Sequence, residues 1–200
     1  MSTAGRLAVF LDRDGTLNEL VWHEEYGEWG PPWSAAQLVL KPGAADLLRD
    51  LRAIGYLVFV VTNQPDAAKG KATLEALSAV EQTFNERLSA EGAKLDGYEQ
   101  CLHHPDATVA EFRLACACRK PGTGMIDTLA QRHQVDLSRS WMVGDRDSDV
   151  ICGRRAGLRT IALAEPRTSA PASAADPDYT AETLASVFAI LKHHAPRLHS

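Results

Sequence analysis

The chain has 200 residues, 45% of them apolar, enough for one sizeable core and a single domain spanning 1–200. A net charge of -5 leaves no basic footprint for nucleic acid or an anionic membrane surface, and no run of about eighteen apolar residues could span a bilayer. The opening MSTAGRLAVFLDRDG lacks the long apolar core of a signal peptide, and no apolar interface helix stands out, so a cytoplasmic monomer is expected.

The first apolar run, Leu7 to Leu11, is short and continuous, as buried parallel strands are. It ends in Asp12-Arg13-Asp14-Gly15-Thr16, and the carboxyl ends of strands are where open α/β sheets bind ligands. Two carboxylates two residues apart, followed by a glycine for the turn, can converge on one hard cation while one oxygen stays free for attack. Asp and Gly favour turns in any case, but an Asp-x-Asp-Gly-Thr match arises by chance in only on the order of one chain in several hundred. Residues 19–42 carry Trp22, Trp29 and Trp33 with Gly30-Pro31-Pro32, too long a stretch for a plain connection and so a candidate lid or substrate rim. A helix over about 43–54 leads to a second strand, Leu57 to Val61. It is followed by Thr62-Asn63-Gln64, ordinary turn residues that can also hold phosphoryl oxygens through hydroxyl and N–H donors. A helix over 73–90 places Leu74, Leu77, Val80, Phe84 and Leu88 on one face.

Residues 97–121 hold three of the four cysteines, Cys101, Cys116 and Cys118, beside His103 and His104. Such crowding reads as metal in a reducing compartment. Three thiolates and one imidazole complete a tetrahedral, structural Zn²⁺ site with no position left for water; His103 and His104 compete for the imidazole place. Arg119-Lys120-Pro121 follows directly. Basic pairs are usually only solvated, but this one supplies cations to an acidic chain just before a helix over 122–134. The strand Trp141 to Val143 ends in Gly144-Asp145-Arg146-Asp147-Ser148-Asp149, three carboxylates where a helix cap needs one. Asp145, nearest the strand, is the candidate Mg²⁺ ligand. A helix over 148–156 contains Cys152, read as a buried inert thiol, and Thr160 to Leu163 forms the fourth strand. An Ala/Pro-rich segment, 164–178, precedes a last amphipathic helix carrying Leu184, Val187, Phe188 and Leu191. Strands alternating with helices imply an α/β fold: a doubly wound, Rossmann-like parallel sheet flanked by helices, with a zinc-pinned loop and no large cap domain.

In this order, Asp12-Arg13-Asp14-Gly15-Thr16, Thr62, Lys120 and Gly144-Asp145 through Asp149 resemble the four motifs of the haloacid dehalogenase-like phosphatases, over nearly the whole chain. The resemblance implies a two-step phosphoryl transfer with Asp12 as nucleophile and Asp14 as acid and then base. It also implies Thr62 and Lys120 on the transferring phosphoryl, and Mg²⁺ on Asp12, the Asp14 carbonyl and Asp145. Dehalogenases lack the second Asp. The zinc loop, ending in Cys118-Arg119-Lys120-Pro121, is similar to that of the branch acting on heptose bisphosphates and on histidinol phosphate, whose Cys-x-His pattern selects His103. The long stretch between His103 and Cys116, and Asn63-Gln64 with Gly70, resemble the heptose type, so a small phosphorylated sugar is the implied substrate. Histidinol phosphate is the alternative, and a non-catalytic zinc-stabilised binding module a third reading. Asn63, Gln64, Arg119, Lys120 and Arg146 are the expected substrate contacts. The chain departs from the family in the longer tryptophan segment 19–42 and in Pro65-Asp66, where Ser-Gly is usual.

Overall fold

In β1 (Ala8–Leu11) the two-residue repeat of a strand turns Val9 and Leu11 to one side and Ala8 and Phe10 to the other, and all four are buried. A strand apolar on both faces needs cover on both. The computed structural model, which describes residues 5–195, supplies it as three layers. The chain runs through β1, a small hairpin of β2 (Val21–His23) and β3 (Glu28–Gly30), α1 (Ala44–Ala53), β4 (Leu57–Asn63), α2 (Leu74–Ala90) and β5 (Gly97–Cys101). It continues through α3 (Gly124–His133), β6 (Trp141–Gly144), α4 (Asp147–Arg155), β7 (Arg159–Leu163), β8 (Tyr179–Ala181) and α5 (Leu184–His193).

Six strands form one sheet, all neighbours parallel, in the order β5-β4-β1-β6-β7-β8. On one face α1, α2 and α5 pack Leu48, Phe84 and Val187 against Val9, Leu11, Val58 and Val60. On the other, α3 and α4 pack Ile126, Leu129 and Cys152 against Ala8, Phe10, Phe59 and Val61. Each such side chain contributes roughly 1.5–3 kcal/mol by leaving water. Burial also pushes the Cys152 thiol up to about 12, in keeping with an inert core residue. The chain leaves β1 for β4 and β5 on one flank, then crosses to β6 on the other, so the order reverses between β1 and β6. A crevice opens above the carboxyl ends of those two strands, where Asp12 and Asp145 stand.

The sheet has two strands that apolar patterning does not reveal. β5 reads Gly-Tyr-Glu-Gln-Cys with only Cys101 buried, and β8 likewise buries only Ala181; both lie at edges, where one flank is unpaired and a continuous apolar run is not required. β4 extends to Asn63, so Thr62 and Asn63 are strand residues. Leu74 is the first residue of α2, after the Thr73 cap that accepts from the Ala76 N–H, and it points to solvent at 44% exposure while the rest of the expected stripe is buried. No large cap stands over the sheet among the described residues, and no described helix is long and apolar enough to cross a membrane.

Candidate active site

Asp12 leaves β1 with its N–H donated to the Val143 carbonyl of β6 at 2.9 Å, which fixes its backbone between the two central strands. The Lys120 ammonium meets it from the far side, 2.6 Å from Asp12 Oδ1, 2.7 Å from Asp149 Oδ1, and donating to the Val61 carbonyl at 2.7 Å. Asn63 clasps the lysine backbone: the Lys120 N–H donates to Asn63 Oδ1 and Asn63 Nδ2 donates to the Lys120 carbonyl, each at 3.0 Å. Burial opposes the charge on Lys120, but the two carboxylates outweigh it and hold the ammonium above its usual range. Asp12 is pushed up by burial and by Asp149, with Lys120 pulling back.

Asp145 lies fully buried beneath Asp12, and its carboxyl is pushed well above the ordinary range by burial and by the charges of Asp12 and Asp149. One of its oxygens, Oδ2, has no hydrogen-bond partner. Oxygens of Asp12, Asp145 and Asp149 come within 4.8 Å of one another, three carboxylates against a single lysine. That excess of hard anionic oxygen, with a buried lone pair left over, fits a Mg²⁺ ion. Gly15 is part of the same construction. It sits at φ +83°, and a Cβ there would stand 2.5 Å from Asp145 Oδ2. Asp149, which the sequence leaves undecided between cap and ligand, serves the α4 terminus by accepting the Arg146 N–H at 3.0 Å and also holds Lys120; Asp147 stays outside this carboxylate group.

Asp14 is held by four donors. Arg13 Nε and Nη2 fork onto its two oxygens at 3.1 and 3.0 Å, Asn18 Nδ2 reaches Oδ1 at 3.0 Å, and Gln64 Nε2 reaches Oδ2 at 2.5 Å. Gln64 is therefore misplaced as a substrate contact: it is wholly buried, and its amide also donates to Thr62 Oγ1 at 2.9 Å, so it orients two site residues from behind. Arg13 is equally hidden, with Nη1 on the Tyr98 hydroxyl at 3.1 Å, and sequence reading assigned no role to it or to Asn18.

A cavity of about 490 Å³ opens over this floor. Asp12, Asp14, Thr62, Asn63, Arg119, Lys120 and Arg146 all border it, and so do Trp22, Trp29 and Trp33 of the 19–42 segment, which is thereby a rim of the site. The Arg119 and Lys69 side chains on its wall are half-buried, and burial lowers both from their usual values.

Beside the cavity, Cys101, His103, Cys116 and Cys118 converge. Sulfur–sulfur separations are 3.1, 3.1 and 3.5 Å, and His103 Nδ1 lies 3.4 Å from Cys118 Sγ. These lengths sit just inside the about 3.8 Å edge of a tetrahedron built on Zn–S bonds near 2.3 Å, so the set fits zinc. His104 instead accepts the Asp106 N–H on its Nδ1 at 3.1 Å. The Arg119 N–H donates to Cys116 Sγ at 3.4 Å, and Arg119 Nη1 to the His103 carbonyl at 3.3 Å, so the cluster is joined directly to the cavity wall.

A family profile described as HAD-hydrolase-like matches residues 117–187. A D-glycero-beta-D-manno-heptose-1,7-bisphosphate 7-phosphatase of Rhodopseudomonas palustris is 38% identical over 157 residues, 78% of this chain and 83% of the relative. The chain belongs to the haloacid dehalogenase-like phosphatases. A phosphatase of the same name from Salmonella typhi is 36% identical over 84% of each chain. Among solved structures, the D,D-heptose 1,7-bisphosphate phosphatase of B. bronchiseptica, complexed with magnesium and phosphate, superposes with a TM-score of 0.75 at 26% identity, covering 94% of this chain and 99% of that one. As a haloacid dehalogenase-like phosphatase the protein is a phosphoric monoester hydrolase, and its parallel sheet, with no large cap among the described residues, superposes on that structure.

Proposed function

We propose that the protein removes the 7-phosphate of D-glycero-β-D-manno-heptose 1,7-bisphosphate through an aspartyl-phosphate, as a cytoplasmic monomer supplying heptose for nucleotide activation and surface glycans. The observation that carries the reading is the Lys120 ammonium wedged between Asp12 and Asp149 at the floor of a cation-walled cavity, in a chain whose relatives at 34–38% identity carry that name.

In this reading an Asp12 carboxylate oxygen bonds to phosphorus as the bond to the sugar's C7 oxygen breaks, and Asp14 gives that oxygen its proton. Water then attacks the acyl phosphate, Asp14 takes its proton, inorganic phosphate departs and Asp12 is free again. Lys120 and Thr62 stabilise the transferring phosphoryl, and Asn63, Arg119 and Arg146 meet the rest of the substrate. Asp12, the Asp14 carbonyl and Asp145 are the residues that would hold Mg²⁺, whose charge offsets the repulsion between nucleophile and phosphate. Zn²⁺ on Cys101, His103, Cys116 and Cys118 has a structural part, keeping Arg119 and Lys120 in place.

Phosphate release from both anomers of heptose 1,7-bisphosphate, histidinol phosphate and fructose 1,6-bisphosphate tests the proposal. The β-heptose bisphosphate is expected to lead in kcat/KM. A strong preference for histidinol phosphate overturns it.

A further inference from the structure

The mouth of the cavity is organised by contacts that none of the catalytic residues make. β2 and β3 pair Trp22 with Trp29 across the hairpin, ring centroids 5.6 Å apart, and both rings border the cavity while remaining 45% and 40% exposed. Such apolar area left in water beside a phosphate site is a surface waiting for a ligand with C–H faces.

The hairpin is gripped on two flanks. From the segment after β7, the Arg167 guanidinium stands 5.3 Å from the Trp29 ring centroid. Arg167 is itself immobilised: it forks onto Glu165, Nε to Oε1 at 2.6 Å and Nη2 to Oε2 at 2.8 Å, and its Nη2 also pairs with Glu19 near the hairpin's base. Glu165 is buried and takes a second cation, Lys41 Nζ at 2.6 Å. From the loop after β4, Lys71 pairs with Glu28 and lies 4.4 Å from the Tyr26 ring centroid. Asp66 of the same loop accepts from Trp33 Nε1 at 2.8 Å, and Trp33 stacks on His23 at 3.4 Å. Asp66 belongs to the Pro65-Asp66 departure noted in the sequence, so both departures from the family pattern meet in one contact.

We propose that Arg167 is a positioning residue for specificity: by fixing Trp29 against the Lys71 and Asp66 contacts on the opposite flank, it presents the Trp22–Trp29 pair to the carbohydrate portion of the substrate beyond the reacting phosphate. The inference rests on the phosphatase reading but not on which sugar phosphate is used. Arg167→Ala leaves Trp29 free to swing; the rigid ring surface becomes a mobile one, and ordering it costs binding energy at each encounter.

The readout is the ratio of kcat/KM for the preferred sugar phosphate to that for acetyl phosphate, whose two-carbon acyl group carries no ring or carbohydrate face for the tryptophans. Arg167→Ala is expected to lower the ratio on the order of tenfold through a higher KM for the sugar phosphate, with its kcat little changed. Trp29→Ala should lower the ratio likewise, Trp29→Phe should largely retain it, and the double variant Arg167→Ala with Trp29→Ala should fall no further than Trp29→Ala. An unchanged ratio, additive losses, equal losses on both substrates, or a wild type with no preference for sugar phosphates overturns the inference. A wild type preferring a sugar phosphate other than the heptose overturns the substrate proposal alone. If Arg167→Ala does not fold, the comparison of Trp29→Ala with Trp29→Phe decides.

Discussion

Lys120→Met takes the cation shared by Asp12 and Asp149 out of a buried acidic floor and leaves its shape nearly intact. In the native protein the ammonium is 2.6 Å from Asp12 and 2.7 Å from Asp149. At an effective dielectric near 20, each contact is worth about 6 kcal/mol of Coulomb attraction, and the desolvation of three charged groups removes most of it. Deleting one partner of such a buried arrangement leaves the others unpaired, for a loss of about 3–5 kcal/mol. The pH dependence follows from the sign of the Asp12 shift. Burial and Asp149 already raise Asp12, and Lys120 is what restrains it. Without the lysine the folded-state pKa climbs further, so the folded variant takes up a proton that the unfolded chain still releases; its deficit is full above that pKa and shrinks as pH falls through it. Urea unfolding with chelator present should therefore show the deficit of about 3–5 kcal/mol at alkaline pH and a smaller one as the pH is lowered. Added Mg²⁺ should stabilise the variant more than the wild type, and phosphate release should fall by about 10²–10³. A deficit under about 1 kcal/mol, or one that does not vary with pH, would refute the account of this floor.

Asp12→Asn should abolish phosphate release while circular dichroism shows the fold retained; persisting turnover would sink the nucleophile assignment. Metal analysis of carefully purified protein should find about one equivalent of zinc per chain, and Cys116→Ser should lose it together with much of the activity, because the Arg119 N–H is bonded to that sulfur. For Glu165, burial alone would raise the carboxyl, but Arg167 and Lys41 outweigh it and bring it down to about 2 from an ordinary 4.5. Its contribution to stability is thus present above pH 4.5 and lost as pH falls through about 2, so Glu165→Gln should be less stable by about 2–3 kcal/mol at neutral pH and converge on wild type over that window in acid unfolding.

The site's chemistry was legible wherever a short motif follows a buried strand. Asp12 and Asp145 could be placed because continuous apolar runs announce β1 and β6, and the crevice between them follows from the order of strands and helices. The Cys/His cluster was legible because its four side chains come from two short stretches of one loop. What was hidden depends on where a side chain turns. Thr62, Asn63 and Gln64 read as one polar edge, yet β4 carries the alternation through Asn63, sending Gln64 under Asp14 and leaving Asn63 to hold Lys120. Arg13 sits between two motif aspartates and turns inward to Asp14 and Tyr98, a partner 85 residues away that no local pattern reveals. The hairpin's setting depends on Arg167 and Glu19, 148 residues apart, and only the folded sheet brings them together.

The groups around the carboxylate floor share one task. Three carboxylates facing one lysine would repel each other apart in a pliable site, and the backbone fixes each: Asp12 through its N–H on a β6 carbonyl, Asp149 through the Arg146 N–H at the α4 terminus, and Asp145 through the close approach that Gly15 permits. Lys120 has tethers of its own in Asn63 and in the Cys/His loop next to it. The floor is thus kept anionic and crowded before any substrate arrives, and that stored repulsion is what a divalent cation relieves. The groups that hold the floor keep its charges where water would otherwise separate them.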